Sequence, residues 1–310
     1  MRQFSLAVRA AAVALTVTVS ATFLTDSAHA EEDPPPFVGW SAVLPSLAYQ
    51  YDPTSEDDCV AGRLKCVDKV IHEMRRRFDP LASDCDHDAV FALAYLRTTE
   101  EYRQYASRSD FFDDASFVNH QDVVFARMYF EAYDHWHAGR VDRVSPAWRI
   151  AFAAADANQV SGSGDLLLGI SAHVNRDLPF ALAAIGMTTE SGATRKHDHD
   201  RVNEILNAVV SPMMREQATR FDPEISRAQT PYGLGYAGLL QTLVARRETA
   251  WCHAELLVAA PDAASRAVLA QQIENYAAVT ARGIVAGSAY IPPLTTTRSR
   301  DAFCAAASAG

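Results

Sequence analysis

The sequence predicts an all-α protein, a single multi-helix domain of about eight helices behind an N-terminal signal peptide. Three observations lead there. Apolar residues recur at helical spacing almost throughout, runs of alternating Val, Ile and Thr are missing, and each periodic segment is bounded by Asp, Ser, Gly or Pro.

The elements follow in chain order. Arg2 and Arg9 flank the start of an uncharged run from Ala10 to Val19, and the segment closes on Ala28-His29-Ala30, the small-x-small pattern of a signal-peptidase site. The apolar run is too short to span a bilayer comfortably and stops at Asp26, so residues 1–30 read as a cleavable export signal and the remainder as a secreted, extracellular chain. Residues 31–58 form a leader, extended at Asp33-Pro34-Pro35-Pro36. Helical segments near 59–77, 86–106, 119–139, 146–158, 164–178, 199–220, 232–258 and 262–286 fill a domain of 59–290. Residues 291–310 are a C-terminal tail expected to fray after Cys304. No stretch after the signal has the roughly 18 uninterrupted apolar residues of a transmembrane helix, so no stable membrane insertion is expected.

The formal net charge is -10, and removing Arg2, Arg9 and Asp26 with the signal leaves -11. Such an acidic surface repels phosphate before any contact forms, which disfavours nucleic acid and anionic lipid as partners. Cys59, Cys66, Cys85, Cys252 and Cys304 lie in a chain expected in an oxidising compartment. Pairing Cys252 with Cys304 would tie the tail to a long helix, and Cys59 with Cys66 or Cys85 would pin the N-terminal segment. The odd count leaves one thiol over.

Three segments carry the polar groups capable of chemistry. In the 119–139 helix a 100° step puts His120, Val124, Arg127, Glu131, Asp134 and His135 on one side and Phe125, Tyr129, Ala132, Tyr133 and Trp136 on the other. The polar side is either a solvated face with a Glu131/His135 pair or a set of ligands and acid/base groups. The 164–178 helix is almost wholly apolar but ends in Ser171-Ala172-His173-Val174-Asn175-Arg176-Asp177-Leu178-Pro179. His173 and Asp177 share a face at i,i+4, as suits a metal pair, an Asp-oriented general base or a self-satisfied buried pair. Gly169 one turn back leaves room for a close approach, and Asn175 projects from the other side. The third segment, His197-Asp198-His199-Asp200, reads as a metal-ligand cluster or as a solvated helix start with Asp198 as N-cap. Pro212 is expected to kink or restart the helix that follows. Serine-hydrolase, zincin, phosphate-loop and dinucleotide signatures are all absent.

From Phe111 to Pro223 the chain resembles an actinobacterial family known as domain of unknown function 5995. The likeness is carried by Val124-Phe125-Ala126, Tyr129-Phe130, Pro146-Ala147-Trp148, Ala151-Phe152, the string from Leu168 through His173 to Pro179, and Asp200 with Val202-Asn203. It implies a helical domain centred on His173, Asn175 and Asp177. His173-x-x-x-Asp177 with Pro179 is also similar to a ligand pair of the helical zinc phospholipase C and single-strand nuclease superfamily, and Glu131-x-x-x-His135 is a reversed echo of it. That superfamily uses an N-terminal Trp amine as a ligand, where cleavage here leaves Glu31, and a His follows its Pro turn, where this chain has Ala181 and Leu182.

Two functions follow as expectations. In the first, the chain is a secreted metal-dependent hydrolase of ester or phosphoester bonds. His173, Asp177, Asp134, His135, His199 and Asp200 are its candidate ligands for a divalent ion, zinc above all, and Glu131 and Asn175 join His173 and Asp177 as candidate catalytic or supporting groups. In the second, a non-catalytic helical protein binds an apolar small molecule or lipid, and His173, Asn175 and Asp177 form a structural hydrogen-bond network.

Overall fold

Local chemistry sets most of the helix boundaries in the computed structural model, which describes residues 51–227, 234–289 and 299–308. The signal segment 1–30 and the Pro-rich run at 33–36 lie outside the described residues. Helix α1 (Leu64–Asp84) ends where Cys85 adopts a left-handed φ of 56°, and α2 spans Ala89–Ala106. Helix α3 (Ala115–His137) starts at Asp114, whose carboxylate accepts from the Phe117 amide at 3.0 Å. Helix α4 (Pro146–Asp156) opens on Pro146, whose missing N–H costs nothing in a first turn. Helix α5 (Gly162–Ser171) is capped by the Ser161 hydroxyl, which accepts from the Gly164 amide. It continues through a π-helical turn, Ala172–Asp177, into α6 (Leu178–Ile185). Pro179 has no N–H to give to the preceding turn, and the widened turn lies immediately before it.

Helices α7 (Lys196–Arg220), α8 (Glu224–Arg227), α9 (Leu234–Ala259), α10 (Ala263–Gly287) and α11 (Arg300–Ser308) complete the described chain. Helix α7 is unbroken across Pro212, so the expected restart does not occur. Among the described residues there is no strand, only the isolated bridges Val160 to Ala289 and Thr188 to Thr194. The fold is all-α, and no described helix is long and apolar enough to cross a membrane.

The continuous rod from Gly162 to Ile185 is the centre of the packing. Helices α2, α3, α4, α9 and α10 all pack on it, which explains why that stretch is almost wholly apolar. The residue that lets α2 come close is Gly169: a β-carbon there would run into the Phe91 ring. Gly169→Ala should therefore cost about 1–3 kcal/mol of unfolding free energy by overpacking. Urea denaturation followed by circular dichroism checks this, and an unchanged midpoint would remove the close approach as an explanation.

Two disulfides form, Cys59–Cys66 and Cys85–Cys304, with Cα separations of 5.0 and 5.9 Å. The Cys252–Cys304 pairing is thereby corrected: Cys252 is the free thiol, exposed on α9. Cys304 instead secures α11 to the end of α1, and Arg300 on the same helix pairs with buried Asp165 and reaches His87 at 3.1 Å. These anchors hold as a helix the residues through Ser308 that composition marked as a loose tail.

Candidate functional site

The π-helical turn presents one face of the rod to a ring of aromatic side chains. His173 is buried and stacks on Phe125 of α3, with centroids 3.6 Å apart and planes 10° from parallel. Tyr95 of α2 stands edge-on to it at 4.5 Å. Asp177 is fully buried and accepts three hydrogen bonds. Trp148 Nε1 (2.8 Å) and His173 Nδ1 (2.9 Å) reach its Oδ2, and Arg176 Nη1 (2.9 Å) reaches Oδ1. Arg176 also donates from Nε to Glu274 of α10 at 2.8 Å. Burial by itself would raise the Asp177 pKa, but the His173 hydrogen bond, the Arg176 charge and the Trp148 N–H together hold it below the ordinary carboxylate range. Burial pushes His173 down, against the pull of Asp177. The pair is thus a carboxylate and a neutral imidazole, with the proton on Nδ1 and the lone pair on Nε2.

That Nε2 has no protein partner, and His173 forms part of the wall of an apolar cavity of about 130 Å³ between α2, α3, the rod, α7 and α9. Phe91, Ile170, Ile205, Val209 and Leu243 are among its apolar walls. Polar side chains line it too, and of these Thr98 is bound to the Ala94 carbonyl and Tyr102 to Asn119. The Tyr95 hydroxyl, Thr99 Oγ1 and Asp122 Oδ2 are closed to solvent and unpartnered, and Arg247 contributes a guanidinium. Burial raises the Asp122 carboxyl to about 7. Asp122, Tyr95, Thr99 and Arg247 carry no signal in the sequence: Asp122 reads as one more polar position of α3, and Arg247 sits in Arg246-Arg247-Glu248, which reads as surface.

The i,i+4 inference for His173 and Asp177 corresponds to a direct hydrogen bond. Asn175 donates to Ser171 Oγ at 2.9 Å and leaves its own Oδ1 unpartnered, so it braces the rod one turn back. The six candidate metal ligands do not converge. Asp134 is tied to Arg77, with Nη2 to Oδ2 at 2.7 Å, and His135 accepts from Arg140 at 2.9 Å. Asp200 binds Lys196 Nζ at 2.6 Å. His199 is buried beside Trp251 with both ring nitrogens unpartnered, and burial, then Arg247 and Lys196, hold its pKa well below the usual value. Glu131 is exposed on α3 and makes no bond to His135, so the solvated pair does not form; the charges of Asp177 and Arg176 reach its carboxyl, but it has no hydrogen bond to His173.

A three-donor cluster does arise elsewhere. Asp113, His197 and Asp198 bring ligand atoms within 4.8 Å of one another. The buried member, Asp198, already accepts from the Asp113 and Asp114 amides at 2.7 and 3.0 Å. It caps the approach to α3, not its own helix, and that corrects its expected role.

A family model described as a family of unknown function (DUF5995) matches residues 67–287, well beyond the Phe111–Pro223 stretch that carries the resemblance in the sequence. No curated protein matches the chain, and no solved structure does.

Proposed function

Because the chain belongs to DUF5995, a family without an assigned activity, we propose a function from its site alone: it binds a compact apolar small molecule in the cavity beside His173. The observation that carries this reading is a largely apolar cavity whose lining residues include four, His173, Tyr95, Thr99 and Asp122, with a buried polar atom that has no protein partner. Buried polar groups are nearly always satisfied, so unsatisfied ones gathered on a cavity wall mark places for a ligand's polar atoms. The volume bounds the ligand. A cavity on the order of 150 Å³ takes up benzene, so about 130 Å³ suits one ring or a short branched chain and not a lipid tail. In this reading His173 and Asp177 are a structural pair whose outer nitrogen accepts from the ligand.

Export belongs to the same proposal. Residues 1–30 have the composition of a cleavable signal, and two disulfides suit an oxidising compartment.

The hydrolytic reading keeps one supporting feature. An imidazole oriented by a buried carboxylate, in a residue that lines the cavity and with its other nitrogen unpartnered, has the form of a general base. A divalent ion, zinc by donor type, would have the Asp113, His197 and Asp198 cluster as its best-grouped donors.

One experiment addresses both readings. Benzyl alcohol should raise the melting temperature of the protein in a concentration-dependent way, and Val209→Phe, which fills the cavity, should abolish the shift. No shift in the wild type, or an equal shift in the variant, overturns the binding reading. Turnover of p-nitrophenyl acetate, with or without added zinc, that disappears in His173→Ala would put hydrolysis in its place.

A further inference from the structure

The wall of the cavity contains one buried charge, Arg247, that no carboxylate contacts among the described residues. Among the described residues, three other arginines are as deeply buried as Arg247, and each meets a carboxylate. Arg77 meets Asp134 and Glu73, Arg176 meets Asp177 and Glu274, and Arg300 meets Asp165. Arg247 is 6% exposed and meets none. Its Nε donates to the Asn203 side-chain oxygen at 2.9 Å and its Nη2 to the His199 carbonyl at 2.6 Å, both neutral acceptors. The acids whose charge reaches it, Asp200 and Glu248, are both bound to Lys196 Nζ, at 2.6 and 2.7 Å.

A buried cation with no carboxylate in contact is expensive, and a ligand that brings one relieves the cost. The geometry of what remains free is informative. A guanidinium has five N–H donors, and the two bonds above use Nε and one N–H of Nη2. Nη1 and the second N–H of Nη2 are left, and these form the outer edge of the fork, the edge that takes a carboxylate through two parallel hydrogen bonds. That edge has room for one carboxylate group. Most of the rest of the wall is apolar, with Leu243, Leu206 and Val202 among the residues that line it with Arg247.

The geometry points to a compact monocarboxylate as the ligand of this cavity, its apolar body enclosed and its carboxylate on the free edge of Arg247. The inference rests on the binding reading above and adds the chemical class. Asp122 shares the wall and would oppose a second negative charge once ionised, so the test is run below the pH at which it loses its proton.

Benzoate and benzyl alcohol, nearly equal in size, are titrated calorimetrically into the wild-type protein at about pH 6. Benzoate should bind at least about tenfold more tightly, since a charge-assisted pair adds more than a neutral hydrogen bond. Arg247→Met, similar in length and uncharged, should lose that preference and keep its affinity for benzyl alcohol. Equal binding of the two probes to the wild type overturns the assignment of Arg247 and leaves the cavity reading standing. So does an Arg247→Met variant that still prefers benzoate. Binding of neither probe overturns the cavity reading, and this inference falls with it. The wild-type comparison needs no variant, so it holds even if Arg247→Met folds poorly.

Discussion

Asp177→Ala should lower the unfolding free energy by about 3–5 kcal/mol, the range for removing one partner of a buried charged pair. The size follows from what the carboxylate satisfies. With it gone, the Trp148 indole N–H and the His173 Nδ1–H lose their acceptor in a fully buried site, and Arg176 keeps only Glu274. These donors cannot be re-solvated there, because the turn that carries His173 and Arg176 is covered by α4, α9 and α10, and Trp148 is itself buried on α4. Asp177→Asn should recover only part of the loss. It keeps the shape and one carbonyl oxygen, but its amide then points a donor at another donor in either orientation. Urea unfolding of both variants at neutral pH measures the difference, and a loss below about 1 kcal/mol for Asp177→Ala would mean that the network is not what holds the rod. The sign of the acid dependence also follows. A carboxylate whose folded pKa is depressed contributes stability that is present above its unfolded value and is lost as pH falls through the folded one.

The helical framework and the His173–Asp177 pair were legible because both are local. Apolar periodicity depends on neighbours within two turns, and it located segments such as 146–158 and 262–286 close to the helices Pro146–Asp156 and Ala263–Gly287. An i,i+4 pair on a helix face is equally local, although the widened turn that holds it was not foreseen. Tertiary convergence was not legible. Asp134, His135, His199 and Asp200 are chemically suitable metal ligands, yet Arg77 claims Asp134 from another helix, and the near neighbours Arg140 and Lys196 claim His135 and Asp200. Gly169 was read correctly as room for an approach, but nothing local identifies the visitor as Phe91. The Cys85–Cys304 bond illustrates the same limit, since connectivity among five cysteines is a property of the packed chain. Arg247 was missed for a related reason: among charged neighbours on a helix it looks solvated, and only the packing of α9 against α7 buries it.

The other large effect concerns pH, and it runs opposite to the one at Asp177. Asp122 is raised to about 7 by burial alone, with no cation or donor acting on it to offset that. Its unfolded value is about 3.9. Between roughly pH 4 and pH 7 the folded protein therefore holds a proton that the unfolded chain has released, and stability falls as pH rises across that window. A shift of this size corresponds to about 4 kcal/mol if fully realised, and water entering the cavity would reduce it to about 1–3 kcal/mol. Asp122→Asn replaces the carboxyl by a neutral group of the same shape. The variant should be more stable than the wild type by about 1–3 kcal/mol at about pH 8 and nearly equal to it at about pH 4. Asp88, raised to about 6 mainly by burial, and Asp165, raised to about 7 by burial against the pull of Arg300, have the same sign and remain in the variant. The pH profile should accordingly flatten without becoming level. Urea titrations of both proteins at the two pH values give the comparison, and parallel profiles would show that Asp122 reaches solvent and ionises at its ordinary pKa.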